Sequence, residues 1–145
     1  MSLRWFVSLL LREYPWEGER PSRPPRKEHE MARYLISFDE GAMIFPEEEL
    51  PDVAAAAHAV AREAMDAGAW VFGGGLHSSE ELSVVATDGT ITDGPYAESK
   101  AYIGGFSVVE VRSRAEALEW AAKIAVACRC AQEVREFGPG SAVRD

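Results

Sequence analysis

With 145 residues, 47% of them hydrophobic and 27% charged, the chain has the balance of a single soluble globular domain. Its formal charge of −9 is uneven: residues 1–30 hold six basic and five acidic groups, so the excess of carboxylates lies wholly in residues 31–145. So acidic a body, with no cluster of Lys or Arg, repels phosphate backbones and argues against nucleic acid as a partner.

The first 30 residues read as an extension. The apolar run WFVSLLL (5–11) is far short of the ~20 residues that span a bilayer. Arg12 and Glu13 follow at once and no small-x-small cleavage site appears, so neither a membrane anchor nor a signal peptide is expected. A short amphipathic helix remains open. Residues 18–30 are rich in Pro, Arg and Glu, with little to bury, and read as a linker. From Met31, MARYLISF reads like the start of a domain covering 31–145, which makes 1–30 dispensable.

Within that domain RYLISFD (33–39) is a β-rich first strand. Pro51 and Asp52 suit the first turn of a helix running to Ala67, and Gly68 is a natural stop. Val53, Ala57, Val60 and Ala64 give that helix a buried stripe. AWVFG (69–73) is a second strand, ended by Gly74 and Gly75. ELSVVAT (81–87) and 90–92 flank Asp88-Gly89, the signature of a type I′ hairpin turn. The longest strand is 102–111, and Ser113 with Glu116 forms a capping box that opens a helix over 115–127. Its expected stripe is Leu118, Ala121 and Ala125, and a last strand follows at 131–137.

This order predicts an α+β, ferredoxin-like sandwich: an antiparallel sheet with two helices on one face. The other face should be wet, yet the strands are apolar on both alternations. Phe106 and Val108 point one way and Ile103, Val109 and Val111 the other, while Leu35 opposes Tyr34, Ile36 and Phe38. A second copy is the simplest cover, giving a homodimer through the exposed sheet face. The extension, with Trp5, Phe6 and 9–11, is the alternative cover.

Candidate chemistry centres on TDGPYAESK (92–100). Asp93-Gly94-Pro95 is a rigid turn in its own right, and Asp93 is also a carboxylate able to accept a proton at the end of a sheet. Tyr96, Glu98 and Lys100 bring a hydroxyl, an acid and an amine to the same loop. Gly104 and Gly105 inside a strand mark close approach of a ligand or of backbone. His58 lies roughly 130° around the helical wheel from the centre of the stripe, on the rim, and is the general acid/base candidate. Gly73-Gly74-Gly75 lacks the helix and the Gly-Lys-Ser/Thr of a phosphate-binding loop and reads as a strand exit. Trp70 and Trp120 read as core or interface anchors. Cys128 and Cys130 are too close in sequence to bridge without strain, and two thiols alone do not make a zinc site. They read as free thiols of a reducing compartment, which places the protein in the cytoplasm. No pattern for a metal or a cofactor is present.

TDGPYAESKAYIGGFSVVEVRSRAEALEWAAKI resembles the DGPF-domain branch of the YCII-related family. Asp93, Gly94, Pro95, Ala97, Glu98, Lys100, Gly104, Gly105 and Phe106 match the loop-and-strand pattern. Glu116, Ala117, Glu119, Trp120 and Ala121 match the helix, and the likeness spans residues 31–137. Tyr96 stands where the motif has Phe. The resemblance implies a dimeric α/β barrel. It also implies, for the wider family, a His–Asp pair in a pocket. The family's Asp-Pro-aromatic motif falls where this chain reads AVACRC, so only Asp93 carries over cleanly.

Two functions follow. In one, an unidentified small molecule binds between the 93–106 loop and the first helix, with Asp93 as base and His58 as its proton partner in isomerase- or hydrolase-type chemistry. Tyr96, Glu98, Lys100, Gly104 and Gly105 contact that ligand. In the other, the domain is a non-catalytic regulatory or interaction dimer and the loop is structural.

Overall fold

The computed structural model describes residues 30–94 and 101–142, so the extension 1–29 lies outside the described residues. In chain order the elements are β1 (Ala32–Asp39), α1 (Leu50–Asp66), β2 (Trp70–Gly75), β3 (Ser83–Val85), β4 (Ile91–Asp93), β5 (Ile103–Val111), α2 (Arg114–Cys128) and β6 (Glu133–Glu136). Four strands form one antiparallel sheet in the order β2-β5-β1-β6, while β3 and β4 pair apart as a two-stranded arm. Each helix joins two strands that have a third between them, the split β-α-β connection of a ferredoxin-like layout.

The expected alternation is observed. Tyr34 opposes Val109, and Ala32 opposes Val111, on the helix side. Tyr34, Ile36, Val109 and Val111 are the largest fully buried side chains, at 1% exposure or less. Ala117, Ala121 and Ile124 of α2 close over them. Each such large apolar side chain contributes roughly 1.5–3 kcal/mol by leaving water. Val53 and Ala64 of α1 are buried and Ala57 and Val60 half-buried, so the stripe expected for this helix is the observed one.

Three local expectations are corrected. In α2 the buried stripe is Ala117, Ala121, Ile124 and Cys128, while Leu118 is 45% exposed. The helix is rotated by about one residue from the expected stripe, because Ile124 and Cys128 fall on one line with Ala117 and not with Leu118. The hairpin turn is not type I′, which needs positive φ at both central residues. Only Gly89 has it, at φ 88, and Asp88 accepts a hydrogen bond from Thr90 N at 2.9 Å. Ala86 bonds to both Gly89 and Thr90, which makes a three-residue loop with a left-handed closing glycine. Finally, β2 does not stop at Gly73 but stays paired to β5 through Gly75.

Other signals hold. Ser113 Oγ accepts from Glu116 N at 3.2 Å to cap α2, although the Glu116 carboxylate reaches back to Arg112 N rather than to Ser113. Gly68 ends α1 at φ 74. Two ion pairs tie the helical layer together, Lys123 with Glu63 and Arg129 with Glu49. Trp70 and Trp120 are half-buried.

Candidate functional site

A hollow of about 440 Å³ opens between α1 and the β2–β5 half of the sheet. Its walls are apolar: Val53, Ala57, Ala61 and Met65 from α1, Trp70 and Phe38 from the sheet, and Ile124 from α2. Small residues create the space. Gly73, Gly74 and Gly75 contribute backbone alone to the sheet wall, and Ala54, Ala57 and Ala61 of α1 face it beside larger apolar residues. Gly73 is obligatory there, since a Cβ would come within 2.7 Å of the Phe106 carbonyl oxygen.

Three polarisable side chains reach this hollow. His58 is exposed at its rim, as the helical wheel predicts. Ser107 sits in the floor at 9% exposure, and the Cys128 thiol lies at the inner end. Burial, then the charge of nearby Cys130, pushes the Cys128 thiol pKa up. Cys130 is also raised by burial, against a hydrogen bond from Gln132. Both cysteines are free thiols, and raised pKa values make them weak nucleophiles. An apolar chamber with a few polar groups is the usual form of a small-molecule pocket. Two other hollows are less suited. The larger, about 680 Å³, is an open trough between the outer surfaces of the helices. The other, about 430 Å³, lies beside Met31 and Trp120.

The expected site residues fall in different places. His58 lines the hollow but Asp93 does not. Asp93 ends β4 on the arm, where its carboxylate accepts a hydrogen bond from the Ser83 hydroxyl at 2.7 Å. Its neighbour in the chain, Gly94, takes φ 92 as expected for the turn. Gly104 and Gly105 are contacted by the protein itself: a Cβ on Gly104 would lie 2.9 Å from Glu40 Cα, and one on Gly105 would lie 2.6 Å from the Phe38 ring. Tyr96, Glu98 and Lys100 lie outside the described residues. Ser107, Cys128 and the lining role of the glycine triplet were not anticipated, because a wall built in part of glycine offers no side-chain signal to read.

Near the base of the arm, hydrogen bonds from the Ser79 side chain and backbone, the latter at 2.7 Å, hold Glu40 below its ordinary pKa. Among the described residues no group of three or more His, Cys, Asp or Glu gathers in a way that could hold a metal. Among them, too, no helix is long and apolar enough to cross a membrane.

Together these features define a class: an α+β sandwich with an antiparallel sheet, two helices and an apolar hollow beneath the first of them. Its family is now clear as well. The family model of the YCII-related domain matches residues 34–137, and the chain belongs to that family. No curated protein matches the chain.

Proposed function

We propose that this is a DGPF-type member of the family that works as a homodimer binding a small, mainly apolar molecule in the hollow beneath α1. The observation that carries this reading is the chamber itself, with His58 at its rim and Ser107 in its floor. Its ligand carries one or two hydrogen-bonding groups for those side chains, on a body that the alanines, Met65 and Trp70 can enclose. Acid/base chemistry, if the protein performs any, centres on His58.

The dimer reading is supported by the outer sheet face. Phe72 is 63% exposed there and packs against Phe106 with ring centroids 6.0 Å apart and planes tilted by 52°, with Leu35 and Val108 beside them. Exposed aromatic area of this kind marks association surfaces. The free thiols are consistent with a reducing, cytoplasmic location.

A thermal-shift screen of a fragment library against the wild type and Ala61→Phe tests the binding reading. A ligand present at 100 times its Kd stabilises the wild type by about 2.7 kcal/mol, and the protein with the filled chamber shows no such shift. If every fragment shifts wild type and Ala61→Phe equally, or shifts neither, the binding reading is overturned.

One observation favours the non-catalytic alternative for the motif loop. Asp93 is held by Ser83, and Gly104 and Gly105 are packed on β1 and its exit, so these motif residues have structural work in the fold. Asp93→Asn separates the readings: it leaves ligand shifts unchanged if the motif only builds the arm, and abolishes them if Asp93 contacts ligand.

A further inference from the structure

The two edges of the main sheet differ in kind. The β6 edge carries Glu133, Arg135 and Glu136, charges that discourage another strand from adding there. The β2 edge, Trp70–Gly75, has no charge at all. Its Val71 and Phe72 are 40% and 63% exposed, and its glycines leave the backbone uncovered. An uncharged open edge of this sort is a template for an incoming strand.

The same chain carries an unused pair of strands. The β3–β4 arm leaves the sheet end near Gly104, where Leu76 N bonds to the Gly104 carbonyl, and is closed at its base by Gly94 N on the Leu82 carbonyl. Beyond that, among the described residues, it has little contact with the body. Val85 and Ile91 oppose one another on it and are 65% and 67% exposed. An isolated two-stranded hairpin is marginal in water and needs a third strand or an apolar surface. The stretch from Leu82 to Ala86, up to the hairpin loop, reaches roughly 16 Å at ~3.3 Å per residue, enough to lie along most of the six-residue β2.

We infer that the β3–β4 arm of one protomer docks on the β2 edge of a second copy, extending its sheet and roofing the mouth of its ligand chamber. The occupant is a second copy because both halves of the contact, the open edge and the unsupported arm, are on this one chain, and a two-fold axis satisfies both at once. Phe72 joins the edge to the outer face already assigned to the dimer, so one continuous interface covers both. The chamber is the beneficiary. Its exposed lining residues, Leu50, His58, Met65, Gly74 and Gly75, frame an opening between α1 and the β2 edge, and a strand added to β2 lies across it. The chamber of each protomer is thus completed by its partner, with Val85 and Ile91 supplying apolar surface. This rests on the dimer proposed above.

Hydrogen exchange read by mass spectrometry, at protein concentrations on either side of dimer dissociation measured by sedimentation, tests the docking. The full chain is compared with the double substitution Val85→Asp/Ile91→Asp, whose changes fall on exposed arm positions. In the wild-type dimer the amides of 71–75 that do not bond to β5 slow at least tenfold relative to the monomer. The double substitution removes that slowing, while β1 and β5 keep theirs. A wild-type dimer whose β2 amides exchange at the monomer rate overturns the arm docking and leaves the sheet-face dimer standing. A wild type that stays monomeric at every concentration overturns the dimer reading and the docking with it.

Discussion

The two faces of the main sheet are built from the same strands yet settle their apolar residues differently. On the helix side Tyr34, Ile36, Val109 and Val111 are sealed by α2 within the chain. On the outer side Leu35, Phe106 and Val108 stay half-buried, Phe72 is largely exposed, and Arg33 pairs with Glu110 at 2.8 Å. The contrast teaches that alternation in a strand reports apolar content, whereas the helices decide which alternation is core.

Four experiments probe that contrast, from strong effects to weak. Ile36→Ala on the sealed face should cost about 3 kcal/mol in chemical denaturation, at any protein concentration, because it leaves a cavity in a packed core. Phe72→Asp on the open face should leave the monomer's unfolding midpoint almost unchanged but weaken self-association at least tenfold in sedimentation, equivalent to about 1.4 kcal/mol. Equal losses of monomer stability from the two substitutions would erase the distinction between the faces.

Gly105→Ala places a methyl against the Phe38 ring on the helix side and should destabilise by about 1–3 kcal/mol, with partial rescue by Phe38→Leu. The absence of rescue would mean that Phe38 is not the obstacle. The smallest effect is electrostatic and lies off the sheet. Glu40 is lowered by its Ser79 bonds and Asp88 by those from Thr90, so each adds stability that is present above its unfolded pKa near 4 and is lost as pH falls through its lower folded value. Both groups are exposed, so Asp88→Asn should be only slightly less stable than wild type above about pH 4, and the difference should fade as pH falls below it.

Much of the architecture was legible because the signals were local and redundant. Pro51 and Gly68 bracketed α1, and valines placed among alanines showed which of its sides is buried. In α2 the signal was weaker: alanines occupy both candidate lines, so one leucine outweighed the pattern, and tertiary packing chose Ile124 instead. Asp-Gly announced a hairpin but left the loop length open, since both turns need a glycine in the left-handed region. The site was harder to read. His58 could be placed on the rim from helix geometry alone, but a chamber made by missing side chains has no positive mark in sequence. Of the expected pair, His58 lines the hollow, while Asp93 ends β4 and is held by Ser83.

The irregularity in β2 has a consequence for insertions and deletions. Trp70 opposes Val109 and Phe72 opposes Val108, so Val71 is the extra residue of a bulge. That single added residue turns Trp70 toward the hollow beneath α1 and Phe72 toward the open face, although two residues apart they would otherwise share a side. Removing Val71 would restore an even ladder with both aromatics still facing as they do. Removing Gly73 or Gly74 would instead shift the remaining glycines against β5 and bring Leu76 into the chamber wall. Within this strand, tolerance to loss of a residue is therefore concentrated at the bulge, where the chain can lose Val71 without changing what each face presents.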